Sequence, residues 1–190
     1  MLKKILFPLF LFLTCCTSPH PTANPVKPKS HLKNKSVGSK PSPGPWNVMT
    51  YPGSQGEQAT RKYVKIEADG RFSNSTVSDD YLNADIIVDK MNAGILLHQS
   101  KKSNPAEKFT GMVHIKMKNS AGNELNLTSS RGWNKSGGIL IERNNNDYSQ
   151  FRIFMLQSEG VINIEIRDES SSVYHFDINA AGFADAFSQI

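Results

Sequence analysis

The chain is expected to fold as a mainly β domain, an antiparallel β-sandwich or barrel with one packed helix and a short C-terminal helix. Three observations lead there. Apolar and polar residues alternate through most of residues 46–190, the period-two pattern of strands with one wet and one dry face. Turn-forming clusters of Asn, Asp, Gly and Ser separate the alternating runs. One segment switches to helical spacing.

Taken in order, Tyr63-Val64-Lys65-Ile66-Glu67 reads as a strand ended by Asp69-Gly70. Ala84 to Val88 and Gly94 to His98 are joined across Asp89-Lys90-Met91-Asn92, which predicts a hairpin. Val113, Ile115 and Met117 alternate with His114, Lys116 and Lys118. After the turn at residues 119–123, Leu125 and Leu127 complete a second hairpin. Ile139-Leu140-Ile141 follows Gly137-Gly138. Tyr148, Phe151, Phe154 and Met155 then recur at helical spacing, with Asn146 or Asp147 suited to the N-cap and Gly160 to the stop. The spacing predicts about three helical turns, although alternation from Phe151 to Met155 also fits a strand. Ile162, Ile164 and Ile166 form the next strand, and Tyr174, Phe176 and Ile178 the last. Residues 182–190 read as a short helix burying Phe183 and Phe187, and Trp46 as a core plug at the start of the domain.

The N-terminus obeys a different logic. Lys3 and Lys4 precede an apolar run from Ile5 to Leu13, interrupted at Pro8. A basic start and a short apolar stretch make a secretory signal. A spanning helix needs about 20 apolar residues, about twice what this run provides. Residues 17–45 hold seven of the ten prolines, five lysines and no acid. So little apolar surface cannot offset the entropy of ordering, and an extended tether is expected, rising about 3.1 Å per residue where it is polyproline II.

Charge follows the same division. All 17 acidic residues but only 15 of the 22 basic ones lie after Pro45, so that part carries −2 while the whole chain carries +5. The basic balance therefore belongs to signal and tether, where lysines keep a linker soluble or touch anionic lipid. It gives no reason to expect a nucleic-acid partner.

Leu13-Thr14-Cys15-Cys16 resembles the lipobox of bacterial lipoproteins, with Cys15 standing where Gly, Ala or Ser is usual. The resemblance implies diacylglyceryl transfer to Cys16, cleavage before it, and acylation of the new amino terminus. It divides the chain into a signal peptide (residues 1–15), a lipidated Pro/Lys-rich tether (16–45) and a β-rich domain (46–190). The bilayer is then a partner through acylated Cys16. Thr17 and Ser18 follow it, and the absence of Asp there implies the outer membrane under enteric-type sorting. The other reading is an ordinary signal peptide with two incidental cysteines. Cysteine usage agrees with lipidation: these are the chain's only two, so the processed protein has none left for an internal disulfide. More loosely, residues 181–187, Ala-Gly-Phe-Ala-Asp-Ala-Phe after an alternating strand, resemble the C-terminal pattern of invasion-associated-locus-B-like exported proteins. That likeness implies a small β-rich envelope protein and transfers no site residue.

Few residues in the domain carry chemistry by their spacing. His98, His114 and His175 are not three or four residues from one another, and no cysteine accompanies them; no zinc spacing results. His114 and His175 fall on the polar faces of predicted strands. No serine occupies a Gly-x-Ser-x-Gly elbow, and Ser136 before Gly137-Gly138 reads as a loop residue. Asp79-Asp80 lacks the ligand alternation of a calcium loop and reads as solvated. No glycine loop after a strand cradles a phosphate, and no metal or cofactor is expected. The sequons at Asn34, Asn74, Asn126 and Asn134 read as products of an Asn- and Ser-rich composition.

One loop stands out. Arg131 and Trp133, in Arg131-Gly132-Trp133-Asn134, pair a cation with an aromatic and are the candidate binding residues; for Trp133 itself, a cap folded onto the core is the preferred reading. The leading expectation is a non-enzymatic binding module or envelope-assembly component that meets an envelope protein or glycan. A glycan or peptide hydrolase and a surface-exposed factor meeting host molecules are the competing readings.

Overall fold

The computed structural model describes residues 45–52, 60–99, 104–105, 111–129, 132–133, 138–143 and 146–190, with only the backbone described for 104–105 and 133. Within them the strands are β1 (Asn47–Thr50), β2 (Lys62–Ser73), β3 (Asp80–Val88), β4 (Asn92–Gln99), β5 (Asn104–Pro105), β6 (Val113–Asn119), β7 (Glu124–Ser129), β8 (Gly132–Trp133), β9 (Gly138–Glu142), β10 (Val161–Asp168) and β11 (Val173–Asn179). The helices are α1 (Asn146–Gln157) and α2 (Phe183–Phe187).

All strand pairs are antiparallel and belong to one sheet, ordered β7-β6-β10-β11-β2-β3-β4-β9-β8, with β1 on β2 and β5 on β4. The sheet is nearly closed into a barrel. The mainly β expectation with two short helices therefore stands, and barrel replaces the choice between sandwich and barrel. The two predicted hairpins are β3–β4 and β6–β7.

Period-two burial builds the interior. On β10, Ile162, Ile164 and Ile166 are buried while Val161, Asn163 and Arg167 are exposed. Val113, Ile115 and Met117 do the same on β6, and Tyr174, Phe176 and Ile178 on β11. These side chains join those of β2, β3 and β4 in one core cluster that fills the barrel.

One predicted boundary is wrong. Strand β2 does not end at Asp69-Gly70 but runs on to Ser73. A Cβ on Gly70 would lie 2.2 Å from the His175 carbonyl oxygen, so glycine is there to let β11 approach rather than to turn the chain. The β11–β2 ladder covers only Val173↔Ser73 to Phe176↔Gly70. Beyond this point the strands part, and the start of β2 pairs with β1 instead.

The seam of the barrel lies between β7 and β9. There Ser129 Oγ donates to the Leu140 carbonyl (2.8 Å), and α1 packs on both strands. Tyr148, Phe151 and Met155 turn inward, as helical spacing requires, and the Tyr148 hydroxyl donates to the Asp89 carbonyl. The helix begins at Asn146, so its cap lies outside the described residues. It ends at Gln157 rather than at Gly160, which adopts φ +70° three residues later. The β6–β7 turn holds this end: Asn119 Nδ2 donates to Ser158 Oγ (3.1 Å) and Ser120 Oγ to the Glu159 carbonyl (2.7 Å).

Trp46 is a plug, as its position suggested. It is buried, its Nε1 donates to the Asn179 carbonyl (2.9 Å), and its ring meets Phe183 of α2 edge-on at 4.8 Å. Phe183 is fully buried, whereas Phe187 is only partly so.

Candidate functional site

Side chains fill the barrel, so the polar chemistry sits on its outer face. Register decides what meets what, because residues directly opposite on neighbouring strands share a face. Lys116 stands opposite Glu165, Glu165 opposite His175, His175 opposite Arg71, and Arg71 opposite Tyr81. One row of five polar side chains thus crosses β6, β10, β11, β2 and β3. A second row begins beside it, with Lys118 opposite Asn163 and Asn163 opposite Asp177. The members of both rows on β6, β10 and β11 line a shallow groove of about 450 Å³, namely Lys116, Lys118, Asn163, Glu165, His175 and Asp177, while Arg71 and Tyr81 continue the first row beyond it.

Charges in the groove are arranged in lateral pairs. Glu165 Oε1 lies 2.5 Å from Arg167 Nε, and His175 Nδ1 lies 3.7 Å from the other Glu165 oxygen. The hydrogen bond from Arg167 holds the Glu165 carboxyl below its ordinary range. Lys116 and Lys118 both reach Glu124, at 3.1 and 3.2 Å, and lower its pKa likewise. Asn163 Nδ2 donates to Asp177 Oδ1 at 2.6 Å. The exposed ion pairs of Lys116 and Lys118 with Glu124 contribute little to stability, so a ligand group can displace one partner there at small cost.

Further around the barrel, Lys65 Nζ lies 3.0 Å from both Glu67 and Asp85, which stand opposite each other on β2 and β3. Burial alone would lower the Lys65 pKa, but its hydrogen bonds to these two carboxylates outweigh that and raise it. His98 Nε2 lies 3.6 Å from Asp85 Oδ2, while Asp85 Oδ1 is buried without a hydrogen-bond partner among the described residues. Nearby, the Tyr81 hydroxyl donates to Asp69 Oδ1 at 2.5 Å, and this bond pushes the phenol up to about 12.

The expected site residues fall as follows. Cys16 and Arg131 lie outside the described residues. Trp133 is on β8, where its backbone stands opposite Gly138, so Gly132-Trp133 is a short strand rather than loop; its side chain is not among those described. His114 and His175 are both exposed on strand faces, and β10 separates them, placing Arg167 opposite one and Glu165 opposite the other. Asp79 is exposed, and Asp80 opens β3. Asn74, in one sequon, folds a turn by accepting from the backbone of Thr76 and Val77. Among the described residues no group of three His, Cys, Asp or Glu is placed to hold a metal ion.

Asp89 carries more than its place in a predicted turn suggested. Its Oδ1 accepts from the Met91 and Asn92 backbone, and its Oδ2 from the Tyr51 hydroxyl and Arg61. Asp at the first position of a turn is a readable signal; its partners at residues 51 and 61 are not. Burial and the Asp89 charge together raise the Tyr51 pKa. Comparisons with protein families, with curated proteins and with solved structures found no match for the chain.

Proposed function

We propose that the chain is the precursor of an outer-membrane lipoprotein, acylated at Cys16, whose β-barrel domain is a non-enzymatic binding module or envelope-assembly component. The observation that carries the anchor is Leu13-Thr14-Cys15-Cys16 placed directly after a basic start and a short apolar run. Cysteine usage supports it, since lipidation would consume the one thiol left after processing. Two or more acyl chains give stable anchoring, at about 0.8 kcal/mol per buried CH₂.

The filled barrel favours recognition on the outside. The groove lined by Lys116, Lys118, Asn163, Glu165, His175 and Asp177 offers donors, acceptors and both signs of charge over one shallow surface, and the register-aligned row continues past it to Arg71 and Tyr81. Such a surface suits the hydroxyls and charged groups of an envelope glycan or the polar face of an envelope protein. Arg131 and Trp133 remain a second candidate contact in this reading.

Metabolic labelling with palmitate tests the anchor. Cys16→Ala should abolish the label and release the protein from membranes; a variant that keeps both places the acyl chains elsewhere. For the binding role, the anchored protein should recover a stoichiometric partner from its native envelope. Glu165→Ala with His175→Ala should weaken that recovery without unfolding the barrel. Equal recovery by this variant moves the contact away from the groove, and an empty pull-down counts against assembly.

A further inference from the structure

A second recess lies on the outer face of β3, β4 and β9, separated in strand order by β2 from the groove on β6, β10 and β11. Register sets its floor. Ile87 stands opposite Gly94, and Gly94 opposite Leu140. All three alternate with buried neighbours that fill the barrel, so they share its outer face. Glycine therefore puts no side chain between two apolar ones whose strands lie about 10 Å apart. The recess encloses about 220 Å³.

The rim is built around Asp89, whose side chain is only 7 % exposed. Its acceptors are already taken. Oδ1 accepts from the Met91 and Asn92 backbone, and Oδ2 from the Tyr51 hydroxyl (3.1 Å) and Arg61 Nη2 (3.0 Å). The Arg61 guanidinium also stacks 5.2 Å from the centre of the Tyr51 ring, which meets Tyr63 at 4.5 Å. A long and largely exposed cation is thus held at two points, by a buried carboxylate and by a ring. Its remaining N–H donors have no partner among the described residues. The Asn92 side-chain amide lines the same recess and is likewise unbonded among them.

We infer that this recess binds a small monocarboxylate, with its carboxylate on Arg61 and Asn92 and its apolar body on Ile87 and Leu140. The site depends on neither the anchor nor the outer groove. Asp89 is saturated and neutralised by Arg61, and Glu142, opposite Asn92, is itself engaged. A cationic ligand therefore finds no open carboxylate here, whereas an anion finds donors. A planar guanidinium already fixed in place matches a carboxylate through two parallel hydrogen bonds. Volume limits the ligand further. Pockets for drug-sized molecules begin at about 300 Å³, so this one suits a single ring or a short chain.

The test uses residues 16–190 with Cys16→Ala, which keeps the chain free of lipid, and follows backbone amide shifts by NMR. Three probes share one ring and differ in the end group: phenylacetate, phenylacetamide and phenethylammonium. Phenylacetate should shift the Asn92, Gly94 and Leu140 amides saturably, and the neutral and cationic probes should bind about tenfold more weakly or not at all. Arg61→Gln should erase the preference for the acid, and Gly94→Val should block all three. Equal binding of acid and amide overturns the inference, as does an unchanged acid preference in Arg61→Gln. Shifts absent from these amides, or confined to Lys116, Glu165 and His175 in the groove, overturn it too.

Discussion

Gly70 points into the barrel where β2 and β11 come closest, and a methyl group there would meet the His175 carbonyl oxygen at 2.2 Å and Phe176 Cβ at 2.7 Å. One of these obstacles is backbone, so no rotamer change relieves the clash; two paired strands must separate. Overpacked cores lose about 1–3 kcal/mol, sometimes more, and Gly70→Ala belongs at the upper end. Urea unfolding should show the loss as a lower midpoint at unchanged slope. An unchanged midpoint would mean that the fork between β2 and β11 yields freely. Tyr81 offers a test of the outer face. Its hydrogen bond to Asp69 raises the phenol to about 12, against about 10 for a free tyrosine. The folded state then holds the proton more tightly than the unfolded one. This stabilisation is complete below pH ~10 and is lost as pH climbs through ~12. Tyr81→Phe should remove a late-ionising phenol from the alkaline absorbance titration and flatten that part of the stability curve. Loss of an early-ionising phenol instead would show that the Asp69 contact is absent in solution.

Helix α1 does for the barrel what a further pair of strands would do elsewhere: it covers the seam between β7 and β9. Phe151 is fully buried at that seam, and phenylalanine-to-alanine changes in cores cost about 3–5 kcal/mol. Phe151→Ala should lower stability by that amount and speed amide exchange in β7 and β9 before other strands. Uniform acceleration around the barrel would mean that the helix does not act locally. The helix was legible because Tyr148, Phe151 and Met155 recur at helical spacing among strands of period two. Strand existence was legible for the same reason. The end of β2 was not, because Asp-Gly normally punctuates a chain, and here a tertiary approach by a strand a hundred residues later uses the glycine instead. The site was less legible still. Alternation tells which residues of β6, β10 and β11 face outward, but not that Lys116, Glu165, His175, Arg71 and Tyr81 come into line. That fact needs strand order, and β6 pairing with β10 skips three intervening strands and a helix. Arg131 and Trp133 stand out by residue type and an expected loop position, and the pairing of Trp133 with Gly138 on β9 replaces that loop with a short strand.

At the scale of the whole molecule, stability comes from packing and hydrogen bonding with no covalent staple. Both cysteines stand at positions 15 and 16, and none falls within the barrel or its helices. A chain exported to an oxidising compartment commonly adds disulfides when its core is small. Residues 46–190 are enough to enclose a single core of their own, so the barrel does not depend on them. The strand order sets how that core assembles. Closing β11 on β2 joins segments separated by about half the chain, and such non-local pairing places folding in the range of about milliseconds to seconds. A reductant should leave both the unfolding midpoint and this refolding rate unchanged, as scanning calorimetry and stopped-flow fluorescence from Trp46 in a Trp133→Phe background can show. Trp46 is a suitable reporter because its indole is buried against Phe183 only when α2 is seated on the barrel. A midpoint that drops on reduction would reveal a disulfide between copies through Cys15 or Cys16. That outcome would mean that Cys16 had escaped lipidation or that Cys15 had escaped removal with the signal peptide, and it would therefore count against the anchor as well as against a fold held by packing alone.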